Sequence, residues 1–277
     1  MKWSIVTDSS CDLEQTYNLN NINFYKVPFS ITIGENNYKD TAQLDKRSFV
    51  GNMIHSEKFG QTACPSPGAW YDKFTDADCI IAITISSKLS GSFNSAQTAK
   101  EIVLEEYPDK HIYVLDSMSA GAGLSLLVLK AAELINAGLE FKNIIDKIET
   151  YVKQMHTTFV LSSFDNLTKS GRIPQIAGSL AGKLNLQGIG IAEKGMIELK
   201  KKARGYRKSI NYLLDDMKSS PLMDEKIMIS HCQNQEIAEK LRDEINKIWN
   251  NKNVIISEMS GLCSFYAEYK GIIVSYL

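Results

Sequence analysis

The sequence predicts an α/β protein built from two consecutive modules. Short apolar, β-branched runs of the kind that form buried strands alternate with stretches whose apolar residues recur at helical spacing. From residue 3 to residue 152 this alternation indicates a largely parallel sheet with helices on both faces, a three-layer α/β/α arrangement. A second alternation begins near residue 156. We therefore expect an N-terminal α/β domain over 1–155 and a C-terminal α/β domain over 156–277.

Composition excludes several classes of protein. With 277 residues, of which 44% are hydrophobic and 23% charged, the chain is typical of a globular protein. Its 31 basic and 32 acidic residues produce no net field that would attract nucleic acid. No apolar run approaches the roughly 18 residues that span a bilayer, and the start lacks the features of a signal peptide. Five scattered cysteines without a CxxC pair indicate reduced thiols, so we expect a cytoplasmic protein that is not integral to a membrane and binds no metal.

The first segments predict strands, a hairpin and a shaped loop. We expect strands at 3–7 and 24–32, a hairpin turn at 34–37 and a helix at 44–55. Residues 61–68 contain two prolines and a glycine, which predict a rigid loop without regular structure.

The most informative stretch runs from residue 80 to residue 99. An apolar strand at 80–85 leads into the serine-rich turn 86–92, and helical spacing resumes at Phe93. Backbone N–H groups and hydroxyls at the positive end of a helix dipole form a natural seat for an anion. Ser90 or Ser92 also suits helix capping, which is the simpler interpretation of the turn by itself.

Polar loops follow three predicted strands of the first sheet, at 8–10, 86–92 and 116–117. Because ligands of parallel sheets bind beyond the carboxyl ends of the strands, we expect these loops to converge at one edge. Asp8 and Asp116 are expected to orient hydroxyl groups rather than to contact an anion.

The second half of the chain adds further elements and one basic segment. The nonamer 200–208 holds six basic residues, which usually form a solvated face but would also suit docking of an acidic partner. Further elements are predicted at 125–137 and 141–154 (helices), 159–161 (strand), 188–192 and 196–199 (a hairpin around Lys194), 209–217 (helix), 226–230 (strand), 235–249 (helix), 254–257 and 272–276 (strands).

Signatures of nucleotide and metal sites are missing from the sequence. Neither GxGxxG nor GxxxxGK[ST] occurs, and the histidines show no carboxylate or cysteine at ligand spacing. His231 alone directly follows a predicted strand. The residues leave one enzymatic alternative open, an acyl hydrolase or transferase with Ser86 or Ser90 as nucleophile and His231 as base. The GxSxG elbow of such enzymes is absent.

Seven segments, in order along the whole chain, carry a family resemblance. They are 7–13 (TDSSCDL), 27–32 (VPFSIT), 62–68 (TACPSPG), 86–92 (SSKLSGS), 115–117 (LDS), 167–173 (LTKSGRI) and 203–205 (ARG). Together they resemble the motifs of the DegV family, bacterial fatty-acid-binding proteins that include the FakB type. Two positions depart from the family pattern: Cys64 stands where glutamine is common, and Met259 replaces the histidine of the C-terminal HTGPGA motif. In FakB-type members that histidine helps to hold the lipid carboxylate for a partner kinase, so its replacement bears on kinase coupling more than on lipid binding.

The resemblance implies a two-domain DegV-like fold and a non-enzymatic protein, without a cofactor, that binds one long-chain fatty acid such as palmitate, stearate or oleate. The positions that match the family's carboxylate-binding threonine and serine are Thr62 and Ser90. The tail is expected to run in a tunnel between the two modules, covered by the C-terminal one, which the small residues at 177–182 could line. The full set of predicted fatty-acid-binding residues is Thr62, Ser90, Gly91, Ser92 and Arg172.

The resemblance also implies a protein partner, a dihydroxyacetone-kinase-like fatty acid kinase that would convert the bound acid to an acyl phosphate. Lys202 and Arg204, from the basic nonamer, are the predicted contacts with this kinase. A basic patch beside the mouth of a lipid site would suit a kinase that carries nucleotide.

Overall fold

The structure of the protein is a computed structural model that describes residues 1–174, 185–220, 224–250 and 252–277. The segment 177–182, predicted to line the tunnel, lies outside the described residues. In chain order the elements are β1 (Trp3–Asp8), β2 (Ile22–Val27), β3 (Ser30–Ile33), β4 (Asn36–Lys39), α1 (Lys46–His55), β5 (Gly60–Ala63), α2 (Pro67–Phe74), β6 (Cys79–Thr84), α3 (Ser92–Glu106), β7 (His111–Asp116), α4 (Ala122–Asn136), α5 (Phe141–Gln154), β8 (His156–Leu161), α6 (Asp165–Lys169), β9 (Leu186–Glu193), β10 (Met196–Arg204), α7 (Tyr206–Ser219), β11 (Lys226–His231), α8 (Gln235–Ile248), β12 (Asn253–Glu258), α9 (Gly261–Ala267) and β13 (Ile272–Tyr276).

The first sheet is parallel throughout, in the order β2-β1-β6-β7. Strand β6 is buried along its whole length, as its unbroken apolar run predicts for a central parallel strand. Helices α2 and α3 cover one face through a core that includes Trp70, Phe74 and Val103. Helices α4 and α5 cover the other face. The three-layer α/β/α arrangement is therefore confirmed.

Helix α4 lies between the two sheets and packs against both of them. It contacts β1 and β6 of the first sheet and β8, β11 and β13 of the second. Residues 122–132 of this helix are buried and mostly apolar, as expected of a helix that lies within a core. The second sheet begins with β8, close to the predicted boundary at residue 156. Since α4 packs against both sheets, the division into domains 1–155 and 156–277 stays a prediction.

The second sheet has six strands in the order β10-β9-β8-β13-β11-β12. All its pairs are antiparallel except β11 with β12. Helices α7 and α8 cover one face, so the predicted C-terminal α/β module is confirmed in its architecture. Within the described ranges, no helix is long and apolar enough to cross a membrane.

A third, small antiparallel sheet, β4-β3-β5, corrects two predictions. The strand predicted over 24–32 is divided at Pro28, which has no N–H to donate, and β3 leaves the first sheet for the small one. The segment 61–68 is not wholly irregular, because residues 60–63 form β5 and pair with β3. The local sequence does not predict β5, because the strand it pairs with, β3, lies about 30 residues earlier in the chain. The two prolines of the segment, Pro65 and Pro67, follow β5 and do not interrupt it.

Candidate functional site

A mainly apolar cavity lies between the second sheet and the carboxyl edge of the first. It encloses about 850 Å³ of space unfilled by atoms, part of it at the open mouth. The lining residues come from both halves of the chain: Phe29, Thr62, Ile85, Leu89, Ser90, Met118, Ser119, Ala120, Thr157, Phe159, Leu161, Leu167, Arg172, Ala192, Gly195, Met196, Ile197, Leu262, Cys263, Tyr266, Ala267 and Ile273.

The three polar strand ends meet beside this cavity, as predicted. Asp8, at the end of β1, accepts hydrogen bonds from the Ile85 N–H at 2.9 Å and from the Ser92 hydroxyl at 2.7 Å. It also accepts from the N–H and the hydroxyl of Ser10, at 3.1 and 2.5 Å. Burial raises the pKa of Asp8, and these four bonds offset part of that rise. Asp8 thus orients hydroxyls as expected, whereas Asp116 accepts from backbone N–H groups instead.

The serine turn presents its three predicted site residues differently. Ser90 lines the cavity, and its hydroxyl oxygen accepts the Ser92 N–H at 3.3 Å. Ser92 is fully buried, donates its hydroxyl to Asp8 and does not line the cavity. Gly91 is the exposed N-cap of α3, and a Cβ there would meet only Cys64 Sγ, at 3.5 Å. Of these three residues, Ser90 is therefore the one that lines the cavity, near the positive end of a 15-residue helix.

Thr62 and Arg172 also line the cavity, together with Tyr266, which the sequence reasoning missed. The Thr62 hydroxyl lies 2.8 Å from the Tyr266 hydroxyl. The Arg172 guanidinium lies 5.6 Å from the centre of the Tyr266 ring and donates to the Leu89 carbonyl at 3.3 Å. Two hydroxyls, a cation and the serine turn therefore meet at one part of an otherwise apolar cavity. We refer to Thr62, Ser90, Arg172 and Tyr266 as the polar cluster.

A second part of the cavity is closed by the β9–β10 hairpin. Ser86 donates its hydroxyl to the Gly195 carbonyl at 2.7 Å. A Cβ on Gly195, whose φ is +80°, would lie 2.6 Å from Ser86 Oγ and 2.9 Å from Met118 Sδ, so this close approach requires glycine. Nearby, the hydroxyls of Ser119 and Thr157 form a hydrogen bond with each other at 2.9 Å, so each already has a partner within the protein.

Residues 200–204 of the basic nonamer lie on β10, which is an edge strand, and residues 206–208 begin α7. Lys200 pairs with Glu198 at 2.8 Å, and Lys201 lies over the ring of Tyr212. Lys202 and Arg204 are exposed, and no ion pair to either occurs within the described ranges. Lysines on an edge strand also discourage pairing with other sheets, which is the simpler role for this segment.

The structure gives no support to the enzymatic alternative. Ser86 donates to Gly195, and the His231 ring is bonded to the Asn234 N–H at 3.2 Å and to the Gln235 side chain at 2.5 Å. In the part of the chain that is described, no hydrogen bond joins His231 to Ser86 or Ser90. The same residues contain no group of three or more metal-ligating side chains.

The buried His231 predicts a pH dependence of stability. Burial lowers its pKa below the ordinary value near 6.5, and the bond to Gln235 offsets part of this. The unfolded chain therefore takes up a proton that the folded protein resists, so stability is present above pH 6.5 and is lost as the pH falls through the folded pKa. We expect the free energy of unfolding to fall below pH 6.5 by up to about 1.4 kcal/mol per pH unit from this group.

Urea unfolding at several pH values measures this effect. The His231→Asn variant keeps a hydrogen-bond acceptor but has no group that titrates in this range. In this variant the part of the fall in unfolding free energy below pH 6.5 that comes from His231 should disappear. The matched control is His55→Asn, since His55 is exposed on α1. An equal slope in wild type and His231→Asn would contradict the assignment.

A sequence signal for Tyr266 did exist. Leu262 and Tyr266 are four residues apart on α9, so they lie on the same helix face, and both line the cavity. The link to Thr62 had no such signal, because 204 positions separate the two residues. Only the folded chain brings them together.

Comparisons with known proteins agree over the whole chain. A family model described as "Uncharacterised protein, DegV family" matches residues 2–277. A DegV domain-containing protein of Streptococcus pyogenes serotype M3 is 38% identical over 278 residues, which cover 100% of this chain and 99% of the relative.

Two solved structures are similar to this one in fold and in sequence. The Streptococcus pneumoniae Fatty Acid Kinase (Fak) B3 protein, loaded with linoleic acid, matches with a TM-score of 0.95 and 37% identity, covering 100% of this chain and 99% of that one. A DegV family protein from Eubacterium eligens, loaded with heptadecanoic acid, matches with a TM-score of 0.94 and 31% identity over 99% of both chains. The two matched proteins therefore carry long-chain fatty acids on the same fold.

Proposed function

The chain belongs to the DegV family, and from this premise and the cavity we propose that it binds one long-chain fatty acid. The observation that carries the proposal is a mainly apolar cavity with the polar cluster beside the N-terminus of α3. The two similar structures, loaded with linoleic and heptadecanoic acids, support the class of ligand.

In this proposal the carboxylate lies at the polar cluster. A carboxylate removed from water needs charge-assisted hydrogen bonds, because burying it without them costs several kcal/mol. Thr62 and Ser90 offer hydroxyls, α3 offers the positive end of its dipole, and Arg172 offers a nearby positive charge. Gly91 allows close approach at the helix start, and Ser92 acts indirectly by bonding to Asp8.

The acyl chain provides most of the gross binding free energy. Each buried CH₂ is worth about 0.8 kcal/mol, so ~14 methylenes offer on the order of 11 kcal/mol. Ordering the chain and losing free translation remove much of this, which leaves an affinity that is roughly micromolar or tighter. The side chains of Ile85, Leu262 and Ile273 provide apolar contacts for the tail. Acids such as palmitate, stearate and oleate are the proposed ligands.

We infer that the protein carries lipid rather than converting it, needs no cofactor and works in the cytoplasm. All five cysteines are free thiols, and Cys64 is exposed, which supports a reducing compartment. Among the described residues His231 makes no hydrogen bond to Ser86 or Ser90, which supports a non-enzymatic role because a serine nucleophile needs a base.

Displacement of a fluorescent fatty acid from the purified protein tests the binding proposal. Oleate should displace the probe at micromolar or lower concentration, whereas hexanoate should fail because it lacks about ten of the buried methylenes. Displacement by both acids at equal concentration would contradict a site that depends on a long tail.

We further propose that a dihydroxyacetone-kinase-like fatty acid kinase uses this protein as its acid-presenting subunit. The name of the similar Fatty Acid Kinase B3 protein supports such a partner. Arg172 is at the polar cluster, and Lys202 and Arg204 are exposed on β10, where they could attract a partner that carries nucleotide. The buried Met259 offers no hydrogen-bond donor, so any such coupling must proceed without the histidine at that position.

The Arg204→Glu variant is expected to lower acyl-phosphate formation at least about tenfold, because charge reversal turns an attraction into a repulsion. Its affinity for oleate should be unchanged. The assay combines oleate-loaded protein, MgATP and the kinase subunit, and Lys142→Glu on the exposed side of α5 is the control. Unchanged transfer by Arg204→Glu would remove this residue from the partner surface.

A further inference from the structure

We propose that Tyr266 is an additional carboxylate-binding residue, forming with Thr62 a hydroxyl pair that donates two hydrogen bonds to the bound acid. The inference rests on the proposed function and names a ligand contact within the same site. It follows from the position of α9, from the hydroxyl pair and from the cation beside the ring.

Helix α9 is held firmly enough to fix the Tyr266 side chain. The N–H groups of Gly261 and Leu262 donate to the Asp40 carboxylate at 2.7 and 2.8 Å, and the Ser260 N–H donates to Asp12 at 2.8 Å. These buried acceptors satisfy the start of the helix from within the protein. The helix then directs one face, with Leu262 and Tyr266, into the cavity.

The hydroxyl groups of Thr62 and Tyr266 carry two hydrogens, and the hydrogen bond between them uses only one. Thr62 and Tyr266 lie 2.8 Å apart, and either hydroxyl can be the donor of the bond that joins them. One O–H is used by that bond, and the other is available to an acceptor in the cavity. When a carboxylate arrives, both O–H groups can turn to its two oxygens, because hydroxyl hydrogens rotate freely and charge-assisted bonds are the stronger ones.

Contacts on two sides keep the tyrosine ring in place. The Arg172 guanidinium lies 5.6 Å from the ring centre, and the Phe265 ring meets it edge-on at 5.0 Å. Arg172 uses two of its five N–H donors on the carbonyls of Leu89 and Ser170. Its charge therefore lies over the ring that carries one of the two hydroxyls, in the same cavity, where it favours an anion over a neutral head group.

Position 259 cannot supply a further donor in this chain. Met259 is fully buried among apolar side chains that include Phe49 and Phe265, and it does not line the cavity. A thioether has no hydrogen to donate. From the segment 259–267, Tyr266 is the side chain that brings a hydroxyl to the polar cluster.

The Tyr266→Phe variant tests the inference, because it keeps the ring and removes only the hydroxyl. The dissociation constants of oleate and of oleyl alcohol are measured for wild type, for Tyr266→Phe and for Tyr38→Phe. Tyr38 is the matched control, since its hydroxyl bonds to Asn52 and does not line the cavity. We expect Tyr266→Phe to weaken oleate roughly tenfold to a hundredfold, and oleyl alcohol by less than about threefold, because hydrogen bonds to charged groups are the stronger ones. Tyr38→Phe should change neither.

Two results would overturn the inference while leaving the proposed function intact. One is unchanged oleate affinity in Tyr266→Phe. The other is an equal loss for oleate and oleyl alcohol, which would mean that the ring packs against the ligand without recognising its charge. A wild-type protein that binds neither ligand would instead overturn the proposed function itself.

Discussion

The double variant Thr62→Val, Ser90→Ala is expected to lose at least about a hundredfold in affinity for oleate. Each substitution removes a hydroxyl from the polar cluster and keeps the approximate shape of the side chain. A hydrogen bond to a charged group contributes about 1.5–3 kcal/mol, so two of them amount to roughly 3–6 kcal/mol. The measurement is the dissociation constant of oleate by probe displacement.

The matched control is Thr32→Val, Ser87→Ala. Thr32 lies on β3 beside β5, and its hydroxyl donates to Asn37, away from the cavity. Ser87 is an exposed residue of the same serine turn. The control should bind oleate as the wild type does, and an equal loss in both double variants would mean that Thr62 and Ser90 do not hold the carboxylate.

The Asp8→Ala variant is expected to destabilise the fold by about 3 kcal/mol, since it leaves two backbone N–H groups and two hydroxyls without their acceptor. Relief of the buried charge, whose cost appears in the raised pKa of Asp8, offsets part of the loss. For a chain of this size the corresponding fall in Tm is about 5 °C. Oleate affinity should fall as well, because Asp8 holds the start of α3 through Ser92.

Thermal unfolding of Asp8→Ala is best compared with that of Asp76→Ala. Asp76 also accepts bonds from several side chains, among them Lys2 and Asn23, but it is exposed. Water replaces its bonds when it is removed, so we expect a loss below about 1 kcal/mol. A similar fall in Tm for both variants would show that the buried network around Asp8 does not organise the strand ends.

Much of the fold follows from local patterns. The alternation of buried strands and amphipathic helices predicted the parallel sheet and its covering helices, because periodicity records which face of an element is buried. The sequence also predicted that the loops after β1, β6 and β7 converge, because neighbouring parallel strands end at the same edge of a sheet. Ser90 could be placed at that edge of the sheet for the same reason.

Features that depend on distant partners could not be predicted in this way. Residues 60–63 form strand β5 because they pair with β3, and their own sequence does not predict that pairing. Ser92 was predicted as a ligand-binding residue from the local turn sequence, which does not show that its hydroxyl donates to Asp8, 84 positions earlier in the chain. The pair of Thr62 and Tyr266 likewise joins segments that are 204 positions apart in the chain.

Native mass spectrometry of the purified protein, followed by denaturing extraction of any bound molecule, tests the central claim most directly. We predict one long-chain fatty acid per chain, retained by the wild type and by the control Thr32→Val, Ser87→Ala, and lost from Thr62→Val, Ser90→Ala. A ligand-free mass that stays unchanged after incubation with palmitate and with oleate would contradict the claim that this cavity holds a fatty acid.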